Sequence, residues 1–310
     1  MSIPVEPKAP DELLDPRLTE QQNPRSVGID QLSTLEIVDL INAEDAGVAA
    51  AVAQEREPIA RAIDMVVECF RAGGRLIYVG AGTSGRLGVL DASEMPPTYG
   101  VDSDLIQGVM AGGFEALLKA REGAEDRPND GAAAMDEKQV GTNDFVLGIA
   151  ASGTTPFVHG ALHRASELGA KTGFLLCSYP RRALTRSYDV IIAPLVGPEV
   201  ITGSTRMKAG TATKLVLNTI STSAMVKTGK VFGNLMVDLQ VTCDKLQDRG
   251  ERILMTTLQL SRADAQALLA AAGGHVKTAI VMSRLGVDAP QARQRLEEVG
   301  GAIAELVGDS

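Results

Sequence analysis

Tryptophan is absent from this 310-residue chain, and aromatic residues make up only 3% of it. This scarcity argues against the aromatic platforms on which single-stranded nucleic acids and many carbohydrates stack. Positive charge is also in the minority, because 30 Lys and Arg face 39 Asp and Glu, which leaves a net charge of −9. We therefore expect no binding to nucleic acid or to an anionic membrane surface, and a sugar ligand would have to be held by polar contacts.

Cysteine and histidine are scarce as well, with three of each. Cys69, Cys177 and Cys243 are odd in number and far apart, which argues against a disulfide framework and a Cys-rich zinc site. The histidines form no metal-binding pattern with a further ligand, so we expect neither a metal nor another cofactor. No apolar run approaches the roughly 20 residues that span a bilayer. These absences predict a soluble protein of the reducing cytoplasm.

Three regions of different composition follow one another along the chain. Residues 1–28 hold five prolines among charged residues, a composition that predicts an extended arm. We expect the main domain, with helices at its N-terminal end, over residues 29–249. Residues 250–310 are rich in Ala and Leu and are divided by glycines, which predicts a small, lid-like domain of three or four short helices.

Five short apolar runs alternate with helical stretches in the main domain. The runs are Leu76–Val79, Leu105–Met110, Phe145–Ala150, Thr172–Cys177 and Val190–Ala193. They are apolar throughout instead of alternating, as expected of strands that helices cover on both faces. The pattern predicts an α/β fold, a three-layer αβα sandwich around a five-stranded parallel sheet.

Several helices can be placed from their end signals. Ser33 and Glu36 form a capping-box pattern that predicts the start of the first helix. Long helices are predicted over 209–227 and 235–260, and Pro96–Pro97 predicts that an earlier helix ends near Glu94.

The segment Gly80–Gly85 follows the first predicted strand and matches the pattern G-x-G-x-x-G. A dinucleotide site needs an acidic residue at the end of the next strand, but Ala111 and two glycines stand there, which argues against a nicotinamide or flavin cofactor. The alternatives are a tight strand-to-helix turn or an anion cradle. In a cradle, free N–H groups at the helix start and the residues Gly82, Thr83 and Ser84 would bind a phosphate.

Two further loops are expected at the same edge of the sheet. The third strand leads into a hydroxyl-rich turn that enters a helix, and its candidate binding residues are Ser152, Gly153, Thr154 and Thr155. The last strand leads into residues 197–208, where Glu199 is a candidate ligand contact, although ordinary helix capping and surface charge explain this stretch equally well.

These loops resemble those of the sugar isomerase (SIS) domain, a flavodoxin-like sandwich that binds phosphosugars. Longer runs, among them 80–100, 122–126, 197–208 and 231–238, resemble the N-acetylmuramic acid 6-phosphate etherases, and the resemblance extends from about Asp30 to Val307. That family cleaves the lactyl ether of N-acetylmuramic acid 6-phosphate to N-acetylglucosamine 6-phosphate and D-lactate. Lactate is eliminated and water is then added, during recycling of cell-wall amino sugars.

The resemblance also implies residue roles and a partner. The two catalytic glutamates of the family fall on Glu94, as proton donor, and on Glu125, as its acid/base partner. The family is homodimeric, and a helix from residue 84 to 94 is about 15 Å long, so we expect Glu94 to act across the dimer interface. Lys277 is a candidate to close over the phosphate or the lactate carboxylate.

Two other functions remain open from the sequence. An aldose–ketose phosphosugar isomerase would use the same fold and would also begin by removing the C2 proton. A non-enzymatic sensor is the other, since the glucokinase regulatory protein resembles this family and binds fructose phosphates. Retention of both Glu94 and Glu125 favours catalysis, because a sensor needs only the phosphate loops.

Overall fold

The computed structural model describes residues 17–119, 121–180, 187–238 and 244–308, without the side chain of Lys245. Two compact units can be distinguished. One comprises Met1–Asp91 and Gln107–Thr219, and the other comprises Ala92–Ile106 and Ile220–Ser310. The second unit thus takes in residues that precede the boundary predicted at residue 250.

The elements up to the middle of the chain build a sheet and its covering helices. In chain order they are α1 (Thr34–Asp45), α2 (Val48–Gln54), α3 (Arg56–Arg71), β1 (Leu76–Gly80), α4 (Gly82–Tyr99), β2 (Ile106–Met110), α5 (Glu115–Leu118), α6 (Pro128–Glu137), β3 (Phe145–Ile149), α7 (Pro156–Glu167), β4 (Lys171–Leu175), β5 (Val190–Ile192) and α8 (Lys208–Lys227). The five strands form one parallel sheet in the order β2-β1-β3-β4-β5. All five predicted strands are therefore confirmed, as is the α/β sandwich.

Helices cover both faces of this sheet. Helix α7 packs on the face that carries Ile77 and Val146, and a Cβ added at Gly148 would meet its side chains. Helix α4 packs on the opposite face, where its Gly88 lies directly against Tyr78. Every residue of β1 and β3 is buried, which explains why their sequences are continuously apolar.

The strand order changes direction between β1 and β3. The chain runs outward to β2 on one side of β1 and to β3, β4 and β5 on the other. In sheets of this kind, ligands bind in the crevice at the carboxyl ends of the strands where the order reverses. The loops that follow β1 and β3 are therefore the place to look for a site.

The remaining elements consist of a short hairpin and five helices. They are β6 (Val231–Phe232), β7 (Leu235–Met236), α9 (Asp244–Leu258), α10 (Arg262–Ala271), α11 (Val276–Leu285), α12 (Ala289–Glu298) and α13 (Ile303–Val307). Side chains from these helices form a separate apolar core that includes Leu254, Ile280 and Leu296. The short C-terminal helices are confirmed, with Gly286 in the left-handed conformation at the end of α11.

Two sequence predictions of local structure were wrong. Helix α4 continues through Pro96 and Pro97 to Tyr99, because Met95 and Tyr99, four residues apart, are both buried and offset the lost hydrogen bonds. The helix predicted from residue 235 does not start there, since Leu235 and Met236 pair with β6; the described helix is α9, Asp244–Leu258.

The extended arm predicted for residues 1–28 is described only in part. Of residues 1–28, those before residue 17 lie outside the described part of the chain. The described part forms 3-10 turns at Leu18–Glu20 and Pro24–Ser26, and Thr19, Asn23 and Ser26 are buried. A composition rich in proline and charge does not reveal these few buried polar contacts.

No helix among the described residues is long and apolar enough to cross a membrane.

Candidate functional site

The loop after β1 turns sharply into helix α4. A Cβ on Gly85 would lie 2.7 Å from the carbonyl oxygen of Gly80, so this close approach requires glycine. Gly82, with φ +53°, starts the helix. The first N–H groups of α4 have no intrahelical acceptor, and Thr83 and Ser84 add half-buried hydroxyls beside them. This end of the helix is suited to bind an oxyanion.

The loop after β3 has an internal hydrogen-bond network. The hydroxyls of Ser152 and Thr154 are 3.0 Å apart. Gly153, at φ +77°, places its carbonyl oxygen 3.0 Å from Nε2 of His159, and Nδ1 of the same ring is 2.8 Å from the Tyr188 hydroxyl. Because a carbonyl only accepts, Nε2 carries the proton and Nδ1 accepts from Tyr188. His159 therefore holds the loop in place.

A cavity of about 290 Å³ in the first unit brings most of the predicted residues together. Its lining includes Gly82, Thr83, Ser84, Ser152 and Thr155 from the two hydroxyl loops. Gly153 and Thr154 are not among the lining residues; their hydrogen bonds to Ser152 and His159 belong to the internal network of the second loop. Donor groups from two strand ends thus converge on one small polar space.

Carboxylates and guanidinium groups complete this cavity. Glu125, half-buried, lines it together with Glu122. The main-chain oxygen of Glu125 accepts a 2.9 Å hydrogen bond from the N–H of Phe157, which attaches the acidic loop to the start of α7. The cavity therefore combines donors suited to an oxyanion with a carboxylate, a group of the kind used in acid/base catalysis.

The lining also includes residues that sequence reasoning did not propose as ligand contacts, among them Glu20, Arg86, Arg121, Gly203 and Thr205. Arg86 donates to the main-chain oxygens of Ala116 and Leu117, and Arg121 donates to that of Gly112. Arg86 lies within the 80–100 run, Gly203 and Thr205 lie in the third loop, and Arg121 directly precedes the 122–126 run. Of these five, only Glu20 comes from a segment with no functional pattern.

The third loop contributes to the cavity through Gly203 and Thr205, whereas Glu199 lies elsewhere. The Glu199 side chain is buried, and its two carboxylate oxygens accept hydrogen bonds of 3.0 and 2.9 Å from the N–H groups of Lys208 and Ala209. It therefore caps the N-terminus of α8. Burial raises the pKa of this carboxyl, and the two N–H donors and the Lys208 ammonium offset only part of that effect.

A buried ion pair stands beside this cap. The Lys208 ammonium is 2.5 Å from Oε2 of Glu44, and both side chains are almost fully buried. Asn23 donates to the same oxygen at 2.9 Å, and the Arg25 guanidinium is 2.6 Å from the other oxygen of Glu44. Burial raises the pKa of Glu44, but these partners outweigh burial and hold the pKa below its usual value.

Glu94 and Lys277 belong to the second unit and are not among the lining residues of this cavity. Glu94 is exposed on α4. Lys277 is buried at the start of α11, where its ammonium donates to the carbonyl of Gly229 at 2.8 Å and to the carboxylate of Asp238 at 3.0 Å. Burial lowers the pKa of Lys277, and Asp238 counteracts part of that shift. It lines a separate cavity of the second unit.

Among the described residues, no group of three or more His, Cys, Asp or Glu side chains could hold a metal ion.

Two comparisons find proteins that are similar to part of this chain. A family profile described as the glucokinase regulatory protein N-terminal SIS domain matches residues 58–166. Among solved structures, a phosphoheptose isomerase from Neisseria gonorrhoeae is similar at 18% identity and a TM-score of 0.48, over 63% of this chain and 99% of that one.

Full-length relatives are far more similar in sequence. The N-acetylmuramic acid 6-phosphate etherase of Synechococcus elongatus is 53% identical over 94% of both chains. The protein of the same name from Salinibacter ruber is 53% identical over 96% of this chain and 95% of its own. The one from Aeromonas hydrophila is 50% identical over 94% and 98%. At this identity and coverage, the chain belongs to the N-acetylmuramic acid 6-phosphate etherase family.

Proposed function

We propose that this protein cleaves the D-lactyl ether of N-acetylmuramic acid 6-phosphate, releasing D-lactate and N-acetylglucosamine 6-phosphate. The observation that carries the proposal is the convergence of Ser84, Ser152 and Glu125 on one cavity in the first unit. The N-terminus of α4 and the hydroxyls beside it suit the 6-phosphate. The family to which the chain belongs supports the identity of the substrate.

The chemistry requires a base, an acid and a firm hold on the phosphate. In the ring-opened sugar, the C2 hydrogen lies α to the C1 aldehyde, so a carboxylate can remove it and leave an enolate. The C3–O bond to lactate breaks as the C2–C3 double bond forms, and the departing oxygen takes a proton from an acid. Water adds to the double bond, with its oxygen at C3 and a proton at C2. We assign acid/base work at C2 to Glu125, which reaches the cavity.

We further propose a homodimer whose second catalytic glutamate, Glu94, comes from the partner subunit. Helix α4 is continuous from Gly82 to Tyr99, so Glu94 lies about 15 Å further along its axis than Ser84. Its carboxylate is exposed, as a residue that acts on a neighbouring subunit must be before assembly. Mixed dimers of Glu94→Ala and Ser84→Ala chains should regain part of the activity that each homodimer loses. Complete inactivity of every mixture would rule out a shared site.

We also place the protein in the cytoplasm, where a phosphorylated sugar would be retained. The buried thiols of Cys69 and Cys177 form no disulfide, which suits a reducing compartment. Cell fractionation with an antibody against the chain would test this placement, and recovery outside the cytoplasm would contradict it.

The reaction is tested by incubating the protein with N-acetylmuramic acid 6-phosphate in deuterated water. Release of D-lactate with deuterium at C2 of the product would support elimination followed by hydration. Exchange of the C2 hydrogen for deuterium without release of lactate would favour an isomerase. Binding of the substrate with neither exchange nor lactate release would favour a sensor. Glu125→Gln should bind the substrate but release no lactate. Asp126→Asn is the matched control, since this exposed neighbour does not line the cavity.

A further inference from the structure

Glu20 brings a carboxylate to the cavity from the N-terminal segment. It is the last residue of the 3-10 turn Leu18–Glu20, and its half-buried side chain lines the cavity. Its Oε2 lies against Gly203, because a Cβ added there would come within 3.2 Å of that oxygen. The side chain is therefore directed at the loop that closes one side of the site.

Main-chain hydrogen bonds hold this turn in position. The N–H of Gly203 donates to the carbonyl of Thr19 at 3.2 Å, and the N–H of Leu18 donates to the hydroxyl of Ser178 at 3.0 Å. Thr19 is fully buried. These contacts join the turn to the loops after β4 and β5, so the position of Glu20 is built into the first unit.

The Glu20 carboxylate has unused acceptor capacity. Within the described parts of the chain its one hydrogen bond comes from the Thr19 hydroxyl at 3.4 Å, and it forms no ion pair there. The guanidinium groups of Arg86 and Arg121 in the same cavity donate to main-chain oxygens instead. A carboxylate has about four acceptor positions. Most of those on Glu20 remain open to a ligand.

This arrangement is unfavourable for a simple anion. A phosphate held at the start of α4 would be repelled by a carboxylate in the same small cavity, where neither guanidinium group forms an ion pair with Glu20. The carboxylate contributes favourably to binding if the ligand carries neutral hydrogen-bond donors some distance from its phosphate. The hydroxyls of a sugar phosphate are donors of that kind, and hydrogen bonds to charged acceptors are the stronger ones.

We propose that Glu20 is a specificity-determining residue that accepts hydrogen bonds from the hydroxyl groups of the ligand and so selects phosphorylated polyols over other phosphate esters. This inference rests on the proposed sugar-phosphate site and deepens it. Glu20 contacts the sugar chain, whereas the N-terminus of α4 and the loop after β3 contact the phosphate.

The test compares two ligands that differ only in hydroxyl groups along a six-carbon chain. Sorbitol 6-phosphate carries them, and n-hexyl phosphate lacks them. Binding of each is measured by calorimetry with the wild-type protein, Glu20→Gln and Glu20→Ala. The isosteric Gln variant guards against a fold defect in the Ala variant, and Gln22→Ala is the matched control, because this exposed neighbour does not line the cavity.

Glu20→Ala should weaken the binding of sorbitol 6-phosphate roughly 10- to 100-fold, as expected for the loss of hydrogen bonds to a charged group. Hexyl phosphate should bind unchanged or more tightly, since a repulsive charge is gone. Glu20→Gln should show a smaller change in the same direction. Gln22→Ala should bind both ligands as the wild type does.

Equal losses for the two ligands would overturn the inference, because a residue that only supports the loop would affect both alike. Unchanged binding of sorbitol 6-phosphate in both Glu20 variants would also overturn it. Failure of the wild-type protein to bind sorbitol 6-phosphate would overturn it as well, whereas the proposed function is decided separately by lactate release from N-acetylmuramic acid 6-phosphate.

Discussion

Replacing Lys208 by Met leaves the buried carboxylate of Glu44 without its closest cation. Both side chains are almost fully buried in the wild type, with relative exposures of 4% and 1%. Met preserves most of the lysine's apolar volume, so the change isolates the loss of charge. The Arg25 guanidinium still reaches Glu44, but it is 66% exposed and compensates only in part.

The cost can be worked out from burial. Breaking a buried pair by removal of one partner costs about 3–5 kcal/mol. Because Arg25 and Asn23 remain in contact with Glu44, we expect the lower limit, about 3 kcal/mol. That loss corresponds to more than roughly a hundredfold in the unfolding equilibrium constant. The double variant Glu44→Gln with Lys208→Met removes both charges and should recover about half of the loss.

Urea denaturation followed by far-ultraviolet circular dichroism provides the measurement, since the chain has no tryptophan for fluorescence. The single variants and the double variant form a double-mutant cycle. If Lys208→Met lowers the free energy of unfolding by less than about 1 kcal/mol, the buried pair does not have the assigned energetic role. If the double variant loses as much free energy of unfolding as the two single variants together, the two side chains are not coupled and the reasoning is refuted.

Acidification should weaken the same network. The pKa of Glu44 is held below its ordinary value in the folded protein. Its stabilising contribution is therefore complete above the unfolded pKa, about 4.3, and is lost as the pH falls through the folded pKa. The stability difference between the wild type and Glu44→Gln should shrink accordingly in acid.

Three more changes test other parts of the first unit. Gly85→Ala should abolish sugar-phosphate binding measured by calorimetry, because its Cβ would displace the β1 carbonyl at 2.7 Å, whereas Gly141→Ala, with open space around its Cβ, should bind normally. Asp144→Asn should lower the free energy of unfolding by about 3 kcal/mol at neutral pH. Burial raises the pKa of Asp144, but the hydrogen bonds from Arg75 outweigh burial, so the pKa is lowered. The stability difference should therefore fade below about pH 4 when urea denaturation is repeated over a series of pH values. A difference that grows in acid would contradict the assignment. His159→Phe should cost about 1 kcal/mol of sugar-phosphate binding through the loosened loop after β3, and unchanged affinity would show that this loop needs no such support.

Local signals were sufficient for most of the fold. Ser33 and Glu36 form the predicted capping box, with the Glu36 carboxylate accepting from the Ser33 N–H at 2.8 Å. Each strand was visible because burial on both faces demands an uninterrupted apolar run. The helix end predicted from Pro96 and Pro97 was wrong because the burial of Met95 and Tyr99 outweighs the intrinsic preference of proline against the interior of a helix.

The site could be predicted where a residue stands next to a recognisable turn, and not elsewhere. Thr83, Ser84, Ser152 and Thr155 follow strands directly, so parallel pairing brings them to one edge of the sheet. Glu199 looked the same in sequence, but its short distance from α8 turns its carboxylate to the helix N–H groups. Nothing in the chain before residue 28 indicated that Glu20 reaches the cavity.

The order of residues by itself determined the five strands, most helices, the hydroxyl-bearing loops after β1 and β3, and the family, because each depends on contacts close along the chain or on long motifs. Only the tertiary structure decided which polar residues face the cavity, which cap a helix and which form the buried Glu44–Lys208 pair. The pair joins residues 164 positions apart, and the cavity brings Glu20 of the N-terminal segment together with Thr205 of the third loop. Local pattern carries no information about such contacts, since burial and partners arise only when distant segments pack together.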